Sequence, residues 1–176
     1  MLRNRAIRAA AIVSVLVLGV IGWYLGSPLF IRTTVNEPLP TLAVTATPAQ
    51  SAAAAASPTD KPLSLSKILA RGELQFVDSL HNGKGPVMLV QVGDQRVLRF
   101  ENVAITNAPD IHVYLSREMG GKWTEATSLY LGALKATKGS FNYDIPPGTD
   151  LAPYRSVVVW CRAFAVLVTW VELGPA

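Results

Sequence analysis

The second half of this 176-residue sequence predicts an all-β domain, an antiparallel β-sandwich or flattened barrel of seven to eight strands. Three observations point there. From about Ser64 onward, short apolar runs alternate with polar residues at a period of two, as half-buried strands do. Gly, Pro, Asn and Asp break these runs at intervals of roughly 8–12 residues, the spacing of a chain that turns back repeatedly. Half of all residues are hydrophobic, enough for one core and too few residues for two full domains. Strands of that length bury their alternate side chains only when two sheets share a core.

Three regions follow in order: 1–31, 32–63 and 64–176. Arg3, Arg5 and Arg8 precede an uncharged apolar stretch over residues 9–31. As helix at ~1.5 Å per residue, this stretch covers about 35 Å, close to the ~30 Å of bilayer hydrocarbon. Trp23 and Tyr24 stand where an interfacial aromatic belt is expected, and the arginines keep the N-terminus cytoplasmic. The expectation is a signal anchor that places the rest of the chain outside the cytoplasm. Cleavage is disfavoured, because Ser27 precedes Pro28 and the small-x-small pattern ending at Ala46 lies too far on.

Residues 32–63 are rich in Pro, Thr, Ala and Ser and lack aromatics, so they bury too little to offset their ordering entropy. A disordered tether is expected, with at most a transient helical turn in the alanine run 52–56. It would span ~30 Å as coil and ~95 Å extended.

In the body, SLSKILARG reads as a short helix, capped by Ser64 or Ser66 and stopped by Gly72. Strands are expected near 73–77, 87–92, 95–100, 111–115, 129–134, 140–143, 156–162 and 165–173. Gly93 and Asp94 form the two-residue loop of a hairpin. Pro146 and Pro147 keep the connection into the last two strands out of any ladder.

The formal charge of +4 is concentrated at the front: from residue 63 onward eleven basic side chains face ten acidic ones. A near-neutral body lacks the basic stripe that phosphate backbones need, which argues against nucleic acid. The sequence carries no Gly-x-Ser-x-Gly elbow, no His-Glu-x-x-His pair and no phosphate loop, and Met88 stands at the third glycine position after Gly83 and Gly85. Enzyme activity is therefore not the first expectation.

One cysteine, Cys161, lies in the strand SVVVWCRAF. It shares parity with Val157, Val159 and Ala163, which turns it toward the core, while Val158, Trp160 and Arg162 face the other way. A lone free cysteine commonly serves as a small hydrophobe. Outside the cytoplasm a thiol meets oxidants unless it is buried or used. His112 falls on the side of Tyr114, as a hydrogen-bonded sheet residue, and Asp110 opens its strand as a turn-fixing carboxylate. Trp123, Trp160, Trp170, Tyr114, Tyr130, Tyr143 and Tyr154 read as core aromatics, a carbohydrate platform or an electron-hopping path.

The stretches GELQFVDSLHNGKGPVMLV, LRFENVAITNAPDIHVYLS, LGALKATKGSFNYDIPPGTDL and YRSVVVWCRAFAVLVTWVEL occur in the order found in one family. Over roughly residues 71–173 the chain resembles the DM-thirteen electron-transfer domain, related in architecture to DOMON-type β-sandwich domains. Ala108 replaces the glycine usual before the Pro-Asp pair, which argues against a glycine-only backbone there. The resemblance implies that Cys161 is the redox centre, as a bare thiol or as ligand to a prosthetic group such as haem, with His81 as a helper. The remaining haem or metal ligands would be His112, Met88 and Met119. Covalent c-type haem is excluded, since no Cys-x-x-Cys-His is present.

The functional expectation is a single-pass, membrane-anchored, extracytoplasmic module for electron transfer or redox sensing through Cys161, working with an unidentified redox partner. The alternative is a glycan- or protein-binding sandwich in which Cys161 only packs.

Overall fold

Val92 and Gln95 pair across Gly93 and Asp94, so the expected hairpin forms between β4 (Pro86–Val92) and β5 (Gln95–Ile105). Gly93 has φ +59°, which a glycine adopts without a Cβ penalty. This is a computed structural model describing residues 2–26, 33–40 and 66–176. β5 runs past Phe100 because a bulge shifts its register between Phe100 and Val103, where Asn102 takes φ +47°.

Around this hairpin lie β1 (Thr34–Asn36), β2 (Ser66–Glu73), β3 (Gly83–Lys84), β8 (Lys138–Asp144) and β11 (Gly174–Pro175). They form a seven-stranded sheet in the order β1-β8-β5-β4-β2-β11, with β3 also on β5. The second sheet has the order β10-β9-β6-β7, from β6 (Ile111–Ser116), β7 (Ser128–Ala133), β9 (Ser156–Cys161) and β10 (Val166–Glu172). All pairings are antiparallel except β1 with β8. The described residues are thus mostly β, in two facing sheets, with one α-helix.

Alternate residues of both sheets meet in one core: Val87, Leu89, Leu98 and Phe100 from one side, Val113, Leu115, Val157 and Val159 from the other. Phe100 stacks on Phe141 with ring centres 5.0 Å apart. Tyr143 is the polar link between the layers. Its hydroxyl donates to the Ala133 carbonyl at 3.0 Å and accepts the Lys135 N–H at 2.9 Å. Burial pushes this phenol above its ordinary pKa. Tyr143→Phe strands both backbone groups, so a loss of about 1–3 kcal/mol is expected in urea unfolding; an unchanged midpoint would remove the hydroxyl from this role.

Three expectations need correction. Residues 66–73 are a strand rather than a helix: they pair antiparallel with β4, Ile68 opposite Val90 and Gly72 opposite Val87. Gly72 is the point where β2 passes close under Glu172, and a Cβ there would meet the Glu172 carbonyl. Cross-strand pairing outweighs the weak cap and stop signals. Second, residues 73–77 form no full strand, and Phe76 makes only an isolated bridge to Asn82. Third, the start of the expected tether is ordered: β1 runs parallel to the edge strand β8, Val35 opposite Gly139.

Glu37 fastens that strap. Its carboxylate accepts from Lys135 at 2.9 Å and from the Asn142 N–H at 2.8 Å, and Arg99 donates to its carbonyl at 2.6 Å. Burial pushes the Glu37 pKa up, but these donors outweigh it and hold the carboxyl below its ordinary value. Leu39 then covers an apolar patch of Val90, Val92 and Val97 on the outer face. The remainder of the expected tether, including the alanine run 52–56 and Ser64, lies outside the described residues.

The helix α1 spans Leu2–Gly26, and its side chains from Ala11 to Tyr24 are exposed. Among the described residues, no helix is long and apolar enough to cross a membrane.

Candidate functional site

β6 and β9 are central in their sheet, so each presents one row of side chains to the core and the other to the outer face. Cys161, Val159 and Val157 take the inner row; Trp160 and, on β6, His112 and Tyr114 take the outer. Strand register sets Trp160 beside His112 and Tyr114 beside Tyr130 of β7.

The β6–β7 connection folds back over this outer face. Ser116 donates to the Lys122 carbonyl at 2.9 Å and Ser156 to the Glu118 carbonyl at 2.6 Å, pinning the loop to both strands. Its sharp turn uses Gly120 at φ +67° and Gly121 at φ +74°, closed by the Lys122 N–H donating to the Met119 carbonyl at 3.3 Å. The result is Trp123 stacked on Tyr114, centres 4.2 Å apart, and edge-on to Trp160 at 5.5 Å. Tyr130 continues the series, 5.3 Å from Tyr114.

Polar groups surround the rings. His112 Nε2 lies 2.6 Å from Asp110 Oδ1, and His112 Nδ1 lies 2.8 Å from the Tyr130 hydroxyl. With a neutral imidazole, the Nε2 hydrogen points to the Asp110 carboxylate, which accepts, and Nδ1 accepts from the Tyr130 phenol. The Arg162 N–H donates to the Asp110 carbonyl at 2.8 Å, which brings its side chain over the cluster. The guanidinium sits 4.7 Å from the centre of the Tyr130 ring, and Arg162 Nε donates to the Tyr114 hydroxyl at 2.7 Å. Burial raises the Tyr114 pKa, with Arg162 opposing it. Tyr130 alone of these rings is largely open, 46% exposed.

Cys161 is fully buried, with Ile111 and Val166 as its strand partners. Among the described residues no side chain hydrogen-bonds its thiol. His81 lies in the loop before β3, at the same end of the sandwich, where the Asn82 carbonyl accepts from Thr106. Its ring is held by Asp78, Nδ1 to Oδ2 at 2.8 Å, and Asp78 also accepts the N–H groups of Leu80 and His81. These bonds keep the Asp78 carboxyl below its ordinary pKa, the His81 ring contributing most. The structure does not join His81 to Cys161.

The residues named for haem are not brought together. Cys161 is buried in the core, His81 is held by Asp78 in a loop, and neither of the described surface hollows, of about 190 and 330 Å³, is lined by Cys161, His81, His112 or a methionine. No group of three or more His, Cys, Asp or Glu side chains among the described residues is placed to hold a metal ion. Ala108 has no positive φ, in keeping with its replacing glycine.

Strand parity is enough to place His112 with Tyr114 and to turn Cys161 from Trp160. It does not reveal that Asp110, His112 and Tyr130 form one hydrogen-bonded chain, nor that Arg162 covers Tyr130. The signal was the Asp-x-His spacing at the start of β6, which sets both side chains on one face.

No curated protein and no solved structure matches the chain. A family model described as electron transfer DM13 matches residues 75–173, which takes in every strand from β3 to β10. That match covers more than half of the 176 residues, and the chain belongs to the DM13 electron-transfer family.

Proposed function

We propose that the chain is a membrane-anchored, extracytoplasmic electron-transfer module that exchanges electrons through the outer face of its four-stranded sheet. One observation carries this reading: the rings of Tyr130, Tyr114, Trp123 and Trp160 follow one another at 4.2 to 5.5 Å, from an exposed phenol to the residue beside Cys161. Such a series conducts charge by short hops and needs no open pocket. Cys161 stands as a bare thiol on the inner row behind Trp160, at the inner end of this series. His81 has an indirect part, shaping the loop at that end.

The same geometry speaks against a glycan platform. Sugars stack on open ring faces, whereas here Trp123 covers Tyr114 and the Arg162 guanidinium takes one face of Tyr130.

The ground for anchoring is the sequence of residues 9–31, an uncharged apolar run behind three arginines, together with the strap. Thr33 accepts the N–H groups of Thr137 and Lys138, seven residues after Gly26, so the body sits within about 25 Å of the helix end. Exposed Phe76, Leu80 and Phe164 lie in the loops at that same end. Full-length chain should sediment with vesicles and a chain starting at Thr33 should not.

Electron exchange is tested by flash-generating a ruthenium(III) polypyridyl oxidant beside the full-length protein and following tryptophan and tyrosine radicals by transient absorption. With the exposed Trp23 and Tyr24 of α1 removed as Trp23→Phe and Tyr24→Phe, a tryptophan radical should form and decay into a tyrosine radical, and Trp123→Leu should remove the tryptophan phase. Identical traces in the two proteins would refute the outer-face path.

A further inference from the structure

We infer that Tyr130 is a redox-active tyrosine, oxidised by one electron as its phenolic proton passes to His112 Nδ1. The inference deepens the electron-transfer reading and rests on it for the source and destination of the electron. The step balances as follows. The Tyr130 O–H bond breaks and an N–H bond forms at His112 Nδ1, 2.8 Å away. The electron goes to a one-electron acceptor with an oxidised metal centre, leaving a neutral phenoxyl radical, an imidazolium and a reduced acceptor. Asp110, 2.6 Å from His112 Nε2, faces the new positive charge with a carboxylate. Reduction runs the same path backward, and the proton never leaves the cluster.

Two features, its acceptor and its exposure, distinguish Tyr130 from Tyr114 and Tyr143. Two more, a cation over the ring and a link to the aromatic series, serve the same step although Tyr114 shares them. Tyr130 has an imidazole acceptor, whereas the Tyr143 hydroxyl donates to a carbonyl and the Tyr114 hydroxyl accepts from Arg162. A carbonyl is a poor proton acceptor, and a guanidinium is none. As a residue Tyr130 is 46% exposed, within reach of an outer-sphere acceptor, while Tyr114 and Tyr143 are buried. Arg162, 4.7 Å above the ring, penalises a positively charged ring, so the electron leaves only together with the proton. Finally, Tyr114 at 5.3 Å links it to Trp123, giving the radical an onward route.

The experiment uses the full-length chain, a flash-generated ruthenium(III) tris-bipyridine oxidant and freeze-quenched electron paramagnetic resonance. Because Tyr24 is exposed as well, every protein compared carries Tyr24→Phe; a tyrosyl signal is expected in that background and should vanish when Tyr130→Phe is added. In His112→Gln the rate of Tyr130 oxidation should fall by about 10²-fold, the usual contribution of a positioned base, and its solvent deuterium isotope effect should disappear. Asp110→Asn, which keeps the side-chain shape at the strand opening, should slow oxidation by a smaller factor and serves if His112→Gln melts early. A tyrosyl signal that survives Tyr130→Phe, or oxidation at the wild-type rate in both His112→Gln and Asp110→Asn, overturns the inference. A Tyr130 radical that forms normally while Trp123→Leu changes nothing sinks the outer-face path and leaves the redox tyrosine standing.

Discussion

Cys161 is expected to react with a thiol reagent at least about 10³-fold more slowly in the native protein than in the denatured chain, since a core side chain is reached only through opening events that cost several kcal/mol. The thiol lies on the inner row of β9 within the same apolar cluster as Val157 and Val159, and none of its surface is exposed. Among the described residues no side chain hydrogen-bonds the sulfur, whereas reactive cysteines sit in electropositive, partly exposed surroundings. Labelling with Ellman's reagent, with and without urea, measures the ratio. Cys161→Ser tests packing: a hydroxyl without a partner in that cluster costs about 1–3 kcal/mol. Fast native labelling with a negligible Cys161→Ser penalty would mean that oxidants reach the sulfur directly. The thiol would then replace Tyr130 as the group that meets the redox partner.

Period-two alternation was sufficient to find the long strands because each has one face in the core, which makes side-chain parity a burial signal. The same rule put Cys161 inward and His112 beside Tyr114, and both hold. It failed at 66–73, where Ile68 and Leu69 followed by Gly72 imitate a helix with its stop. The strand there is decided by β4, a partner some twenty residues away in sequence. The strap was invisible for a similar reason. Gly139 takes φ +103° and lets β1 pass where a Cβ would meet the Val35 carbonyl, but that glycine speaks only once its neighbour is known. Trp123 belongs to the outer face through a loop fold set by Gly120 and Gly121 and by two serine hydroxyls on separate strands. Such a constellation is built from long-range register, and no local window contains it.

Phe141→Ala should be the most damaging single core change, at about 3–5 kcal/mol, the cost of deleting a buried ring and leaving its cavity. Phe141 is fully buried on β8, stacked on Phe100 at 5.0 Å and edge-on to Tyr143 at 6.1 Å. Its loss removes the packing that orients Tyr143, whose hydroxyl ties the seven-stranded sheet to the β7 edge of the other. Against a total stability of roughly 5–15 kcal/mol for a domain, the urea midpoint should drop sharply while the slope stays constant. A loss below about 1 kcal/mol would mean that the core collapses around the gap and that the layers are not held by these rings. The outer-face rings behave differently. Trp123 is half-buried and covers a surface, so Trp123→Leu should remove the electron path with a much smaller shift in midpoint. This separation gives the redox experiments their meaning: a signal lost in Trp123→Leu at nearly unchanged stability reports on the path, whereas the same loss in Phe141→Ala reports on the fold.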